Sequence, residues 1–348
     1  MRTLLITAFA AAAVFAASHT SDACTRVVYK GPNNTVITAR SMDFSIEIPA
    51  NHWIFPRGIE RNGEVGKNSL RWKSRYGSLA VSSWDMATTD GMNEKGLSAN
   101  LLWLTASEYP EFDPDGDRKG MSVSLWAQYA LDNFATVEEA VREFEKEAFA
   151  IVTDFIPGTD KFTTVHLSLS DATGDNAIFE YIGGKLVIHH DPDYTVMTND
   201  PPYAEQRAIA KYWQGIPGKV FLPGSVTPSD RFVRASFFIN AVPQTDNTRV
   251  AVASAFSVIR NVSVPYGFEI EGYPNLSTTR WRSVADHKNR VYYFETALTP
   301  NVFWTDLRKI DFAESSGVRK LDLSDNRTYA GECSAEFVAA KAFKFQGL

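Results

Sequence analysis

The chain has 348 residues, a formal net charge of −6 at pH 7, two cysteines and six histidines. It has no basic block, which argues against a nucleic-acid partner. No low-complexity tract, Pro-rich linker or fixed-period repeat divides it, so one domain is the simpler organisation.

In chain order, residues 1–23 read as a secretory signal peptide. Arg2 is followed by the apolar run LLITAFAAAAVFAAS and then by polar residues, with the small Ser21 and Ala23 before Cys24. That run is shorter than the ~20 residues a membrane span requires, and no later run is apolar for long enough. Cleavage after Ala23 leaves a mature domain, 24–348, that is expected to be periplasmic or secreted with no stable membrane anchor. TRVVY, a GPNN turn and TVITAR predict a β-hairpin over 24–44. SLAVSSWD and GLSANLLWL predict further strands around a loop TTDGMNEKG. Helical spacing over 120–147 puts Leu125, Trp126 and Tyr129 near one face, and Thr136 and Glu139 form a capping-box pattern. TVHLSLSDATGDNAIFEYIGGKLVIHH predicts an antiparallel meander. SDRFVRASFFINAV and RVAVASAFSVIRNV predict helices, and TRWRSVADHKNRVYYFETAL predicts a hairpin turning near Asp286–Asn289. Strands, helices, strands, helices, strands is the order of an α+β fold with antiparallel sheets, not of an alternating βαβ chain.

The chemistry narrows by elimination. The histidines are His19, His52, His166, His189, His190 and His287, with no HExxH and no CxxC. His189 and His190 are adjacent, so on a strand they point to opposite faces and cannot readily share a metal. No P-loop, GxGxxG or GxSxG is present. Four N-x-S/T sequons, at Asn33, Asn261, Asn275 and Asn326, bear on surface modification only.

Cys24 has three readings. It could be lipidated, although Ser21-Asp22-Ala23 is a poor lipobox. It could pair with Cys333, as two cysteines in an exported chain invite. Or it could be a nucleophile at the mature terminus. An α-amine has a pKa of about 7.7–8.0, so a thiol at position one carries its own general base. Arg40, near the end of the paired strand, would favour the thiolate. Asp43 could hold the ammonium or orient Arg40. Arg40 and Asp43 taken alone also fit a surface ion pair.

The motifs CTR, ARSMDF, DGMNEKGL, MTNDPP and SDRFVR, in that order over about residues 24–340, resemble the choloylglycine hydrolase family. This family of N-terminal-nucleophile hydrolases includes bile salt hydrolases and penicillin V acylases. The resemblance implies a four-layer αββα sandwich and hydrolysis of a small-molecule, non-peptide amide, with no metal or organic cofactor and a homotetrameric assembly. It implies that Cys24 is the nucleophile and that Arg40 and Asp43 flank it. Asn199 is implied as oxyanion donor and Arg231, rather than Arg234, as the second arginine. One position departs from the family: Trp103 falls where the cytosolic enzymes have an Asn, and the nearby Asn100 does not align. Phe44, Trp84 and Trp103 are pocket candidates by their closeness to these motifs, Trp84 fitting a strand-core position better and Trp103 fitting either place. Among substrates, the exported branch favours penicillin V and N-acyl homoserine lactones over conjugated bile salts. The alternative class is a non-catalytic exported binding protein, with Cys24 lipidated or paired to Cys333.

Overall fold

The N-terminal hairpin organises the molecule. Strand Thr25–Gly31 pairs antiparallel with Thr35–Phe44, and Arg26 lies opposite Arg40. The turn between them is closed by Thr35 N–H donating to the Pro32 carbonyl, 3.1 Å, with Asn33 and Asn34 at φ of 55° and 57°. Two successive left-handed residues match the right-handed twist of a hairpin, and Asn tolerates that conformation well. Thr35–Phe44 is buried along its whole length. Its alternation puts Arg40, Met42 and Phe44 on one face and Ser41 and Asp43 on the other.

The computed structural model describes residues 24–348 except 271–276, 300 and 325–326. Among these, two large sheets form. The first has seven strands in the order Val196–Met197, Thr25–Gly31, Thr35–Phe44, Thr278–Asp286, Val291–Thr296, Phe303–Asp306 and Gly331–Glu332. The second has nine: Lys185–His190, Asn176–Ile182, Val165–Ser170, Ser98–Trp103, Ala87–Asn93, Ser78–Ser83, His52–Phe55, Arg319–Leu321 and Val338–Ala339. The α-helices are α1 Trp126–Asn133, α2 Val137–Phe144, α3 Tyr203–Gln214, α4 Pro228–Ala241 and α5 Thr248–Asn261. α4 and α5 pack on the seven-stranded sheet with α3 against α4, while α1 and α2 cover the nine-stranded sheet. The sheets meet where Thr35–Phe44 approaches Ser98–Trp103. The result is the αββα sandwich expected from the resemblance. One core fills the space between the sheets and under α4 and α5, and a second lies between the nine-stranded sheet and α1–α2.

The hairpins, the meander, α4 and α5 fall where the sequence puts them. Thr136 caps α2 by accepting from Glu139 N–H, 3.2 Å, but the Glu139 carboxylate reaches Ala135 N–H, one residue earlier than a capping box requires. Four features differ. The segment 120–147, read as helical, opens as a strand, Lys119–Ser122, paired parallel with Phe149–Val152, and turns helical only from Val123. TTDGMN is a strand, Ala87–Asn93, because its Asp90 and Asn93 are buried among polar partners instead of facing water. α3 has no counterpart in the sequence reading, because two prolines precede it and its inward face, Tyr203, Gln206 and Ala210, is only weakly apolar. The C-terminal strands are too short to carry a periodic signal. Residues 1–23, with the expected signal peptide, and Asn275 and Asn326 lie outside the described residues. No described helix is long and apolar enough to cross a membrane.

Candidate active site

Cys24 immediately precedes the first strand and is buried, 2% exposed, at a cavity of about 110 Å³ between the sheets. The hairpin register brings Arg40 back beside it, with Nη2 3.7 Å from Sγ. Sγ also lies 3.7 Å from the Asp43 carbonyl and 3.8 Å from Met42 Sδ. Burial pushes the thiol up from its ordinary value, more strongly than Arg40 pulls it down. The thiol is therefore held protonated, contrary to the thiolate that Arg40 alone would favour.

Arg40 is itself fixed from behind. Nη1 pairs with Asp90 at 3.2 Å and donates to the Thr89 carbonyl, Nη2 donates to the Leu101 carbonyl at 2.7 Å, and the guanidinium stacks 4.7 Å over Trp281. Asp90 also accepts from Asn100 at 2.9 Å and from Tyr292 OH at 2.5 Å. An Arg–Asp pair this deep is tolerable only because the carboxylate's lone pairs are satisfied. Asp90 lies inside the DGMNEKG motif, but reading that segment as a loop hid its inward position. Asn100 enters as the support of Asp90 and not as a substrate contact.

On the opposite face of the same strand, Asp43 accepts from Ser41 at 3.0 Å and from Thr279, and lies 3.7 Å from Arg231 Nη1. Arg231 stands in the first turn of α4. It donates to the Cys24 carbonyl at 2.7 Å, to Thr25 Oγ1, and to Asn199 Oδ1 at 3.1 Å. Burial lowers its guanidinium to about 10, still charged at neutral pH, with Asp43 pulling the other way. Arg234 instead holds the Pro223 and Ser225 carbonyls. Asn199 follows the short strand paired to Thr25–Gly31 and is fully buried beside Arg231. One of its amide protons goes to the Trp103 carbonyl at 2.8 Å, leaving the other available. Asp200 clamps the next loop, accepting from Thr105 N–H at 3.0 Å and Thr105 Oγ1 at 2.8 Å, while the Trp103 indole N–H donates to Thr105 Oγ1 at 3.2 Å.

Phe44, Trp84 and Trp103 all line the cavity, with Met42, Leu101 and Ile156. Phe44 and Trp103 meet edge to face at 6.2 Å. Trp84 is not a core residue of its strand. It sits half-buried in the turn after Ser78–Ser83 at φ 52°, followed by Asp85 at φ 49°. Such a bulky residue is rarely left-handed. The Asp85 carboxylate, held by Asn51, Trp53, Ser82 and Lys320, anchors the turn.

Cys24 and Cys333 are both free, so the structure contains no disulfide between them. His189 and His190 reach different carboxylates, Glu180 and Asp175, and no metal-ligand cluster occurs among the described residues.

Residues 24–329 match the model for linear amide C–N hydrolases, choloylglycine hydrolase family. The chain belongs to the choloylglycine hydrolase family. A penicillin V acylase from Pectobacterium atrosepticum is 48% identical, over 95% of this chain and 94% of that protein. A solved penicillin V acylase from Agrobacterium tumefaciens superposes with a TM-score of 0.88 at 55% identity, over 93% of this chain and 100% of that one. A bile salt hydrolase/transferase from Clostridium perfringens is more distant, 25% identical over 82% of this chain. The chain is thus a linear amide hydrolase, and the match to its family begins at Cys24.

Proposed function

We propose that the mature enzyme, beginning at Cys24 after export, hydrolyses phenoxyacetyl amides of the penicillin V type. The observation that carries this reading is the buried Cys24 thiol at an apolar, aromatic-walled cavity, with Arg40 beside the sulfur and Arg231 on the Cys24 carbonyl. In the reaction, the neutral α-amine takes the thiol proton and Sγ attacks the amide carbonyl. The negative charge moves to the carbonyl oxygen, where the free Asn199 N–H and a backbone N–H would stabilise it. Collapse breaks the C–N bond, and the ammonium returns its proton to the departing amine. Water then attacks the thioester, releasing the carboxylic acid and regenerating the thiol. Asp43 balances the nearby positive charge, and Arg40 stabilises sulfur when its proton leaves.

Similarity to two penicillin V acylases supports phenoxyacetyl over steroid acyl groups. The apolar cavity wall also suits the long aliphatic chain of an N-acyl homoserine lactone. Residues 1–23 support a periplasmic or secreted location. The family resemblance also supports a homotetramer, and Tyr212, Val220 and Phe221 are exposed around the α3–α4 connection where another copy would find apolar surface. The decisive experiment is a hydrolysis panel of penicillin V, penicillin G, glycocholate and long-chain acyl homoserine lactones, with wild type and Cys24→Ala. Penicillin V should be cleaved fastest and Cys24→Ala should be inert. Preferred cleavage of glycocholate would overturn the substrate, and an active Cys24→Ala would overturn the mechanism.

A further inference from the structure

We propose that the segment Phe343–Leu348 is a strap that sets the width of the acyl pocket, with Gln346 as a specificity-determining residue. The proposal rests on reading the Cys24 cavity as the acyl site. Gln346 lines that cavity and ties three of its walls together. Its side-chain amide donates to Asp154 Oδ2 at 3.1 Å and to the Phe155 carbonyl at 2.6 Å. Its backbone N–H donates to the Met86 carbonyl at 2.8 Å, and its own carbonyl accepts from Ser124 Oγ at 2.6 Å. One residue therefore joins the 154–163 hairpin, the turn that carries Trp84, and the segment leading into α1.

The hairpin has reason to need this tie. It is closed at its base by the Phe155–Phe162 bridge and stacked rings 4.2 Å apart, yet both rings face solvent, 44% and 51% exposed. Its inward side chains, Ile156, Pro157 and Thr163, form one wall of the cavity. Apolar packing holds that wall on one side only, so a hydrogen bond from across the mouth fixes its distance from Trp84. The strap is anchored upstream by Phe343, packed 5.2 Å from Trp53, and by buried Phe345 under the Arg61 guanidinium at 5.2 Å. Downstream, Gly347 lies so close to the Glu64 carbonyl that a Cβ there would collide with it, and Leu348 N–H donates to the same carbonyl at 2.9 Å. Both ends are thus held, and the middle residue spans the opening.

The test separates pocket width from hydrolysis. Cys24 of the processed enzyme is alkylated with iodoacetamide and, separately, with N-(1-pyrenyl)maleimide. The label on the Cys24 peptide is followed by mass spectrometry, for wild type, Gln346→Ala and Gly347→Ala. Both variants should react with the pyrenyl reagent severalfold faster than wild type, with the iodoacetamide rate little changed in both and the melting temperature little changed in Gln346→Ala. Their kcat/KM ratio of long-chain acyl over phenoxyacetyl amides should rise in parallel, through KM. Rates for the two reagents that stay unchanged, or that rise by one common factor, would overturn the strap. If wild type cleaves no amide while the size selectivity still shifts, the strap stands and the acyl-site reading falls.

Discussion

Cys24 is a thiol that its own surroundings keep neutral. Burial raises it, and Arg40, the largest opposing influence, does not reverse that. A base is then needed, and in the proposed processed form the α-amine of Cys24 is the group at hand. Arg40 still matters once sulfur ionises. Arg40→Gln should move the pH midpoint of Cys24 alkylation upward, because losing a neighbouring cation disfavours the anion. An unmoved midpoint in the folded variant would take Arg40 away from the sulfur. Asn199→Ala should cost about 10²–10³ in turnover, the usual effect of deleting one preorganised donor. A negligible loss would remove it from the oxyanion site. Trp103→Ala should weaken phenoxyacetyl substrates by roughly 1–3 kcal/mol in kcat/KM through lost apolar contact. Unchanged acyl preferences would make Trp103 scaffold only. At this scale the sequence pointed to Cys24, Arg40 and Asp43 by mechanism and to Asn199 and Arg231 by family resemblance, and the fold brings the five close together. The sequence was silent on those that act through them. Asp90 and Asp200 stand inside the DGMNEKGL and MTNDPP motifs, but their inward contacts, like those of Tyr292 and Thr279, arise only in the tertiary fold.

Among the elements, α3 shows how a scaffold carboxylate can place a catalytic loop. Glu180, on the central strand of the meander, accepts the Tyr203 N–H at 3.0 Å and so caps the first turn of α3, just after Asn199 and Asp200. Gln206, one turn further on, reaches back to the Asn199 carbonyl at 3.3 Å. Glu180 also bonds His166 at 2.9 Å and His189 at 3.2 Å. Burial alone would raise this carboxyl, but the bonds from the two histidines bring it down to about 2. A carboxyl depressed from 4.5 to about 2 on folding stabilises the native state above pH 4.5. That contribution is lost as pH falls through the folded value. Urea titrations of wild type and Glu180→Gln should diverge in slope below pH 4.5, wild type losing up to roughly 3 kcal/mol more on the way to pH 2. Parallel curves would mean that Glu180 is not charged in the native state. None of this is readable in GDNAIFEYIGG, where the alternation predicts the strand but not that a buried Glu would wait for a helix about 20 residues later.

Across the whole molecule, the sandwich turns a hairpin into an active site. The proposed nucleophile, Cys24, stands just before the first strand, the second strand carries Arg40 and Asp43, the short paired strand leads to Asn199, and α4 lays Arg231 across the Cys24 carbonyl. Local patterns reveal the hairpin and α4. Their convergence depends on the order of strands in a sheet, which the family resemblance supplied and periodicity could not. In this arrangement the backbone at Cys24 is both a structural start and a reactive group, which yields the sharpest test. If the α-amine is the base, any residue left in front of Cys24 makes it an amide nitrogen with no basicity near neutral pH. It also adds bulk beside a cavity of only about 110 Å³. An enzyme carrying a non-cleavable tag in place of residues 1–23 should therefore fold, titrate as a free thiol and hydrolyse nothing. With a protease site ending just before Cys24, cutting should switch activity on, and a form starting Met-Cys24 should work only to the extent that the Met is removed. Arg231 and Asp43 would hold the terminus in the same place in both forms, so the change in rate would report the amine and not a refolded site. An uncut protein that hydrolyses amides as fast as the cut one would show that the proton goes elsewhere, and the N-terminal-nucleophile mechanism would fail with it.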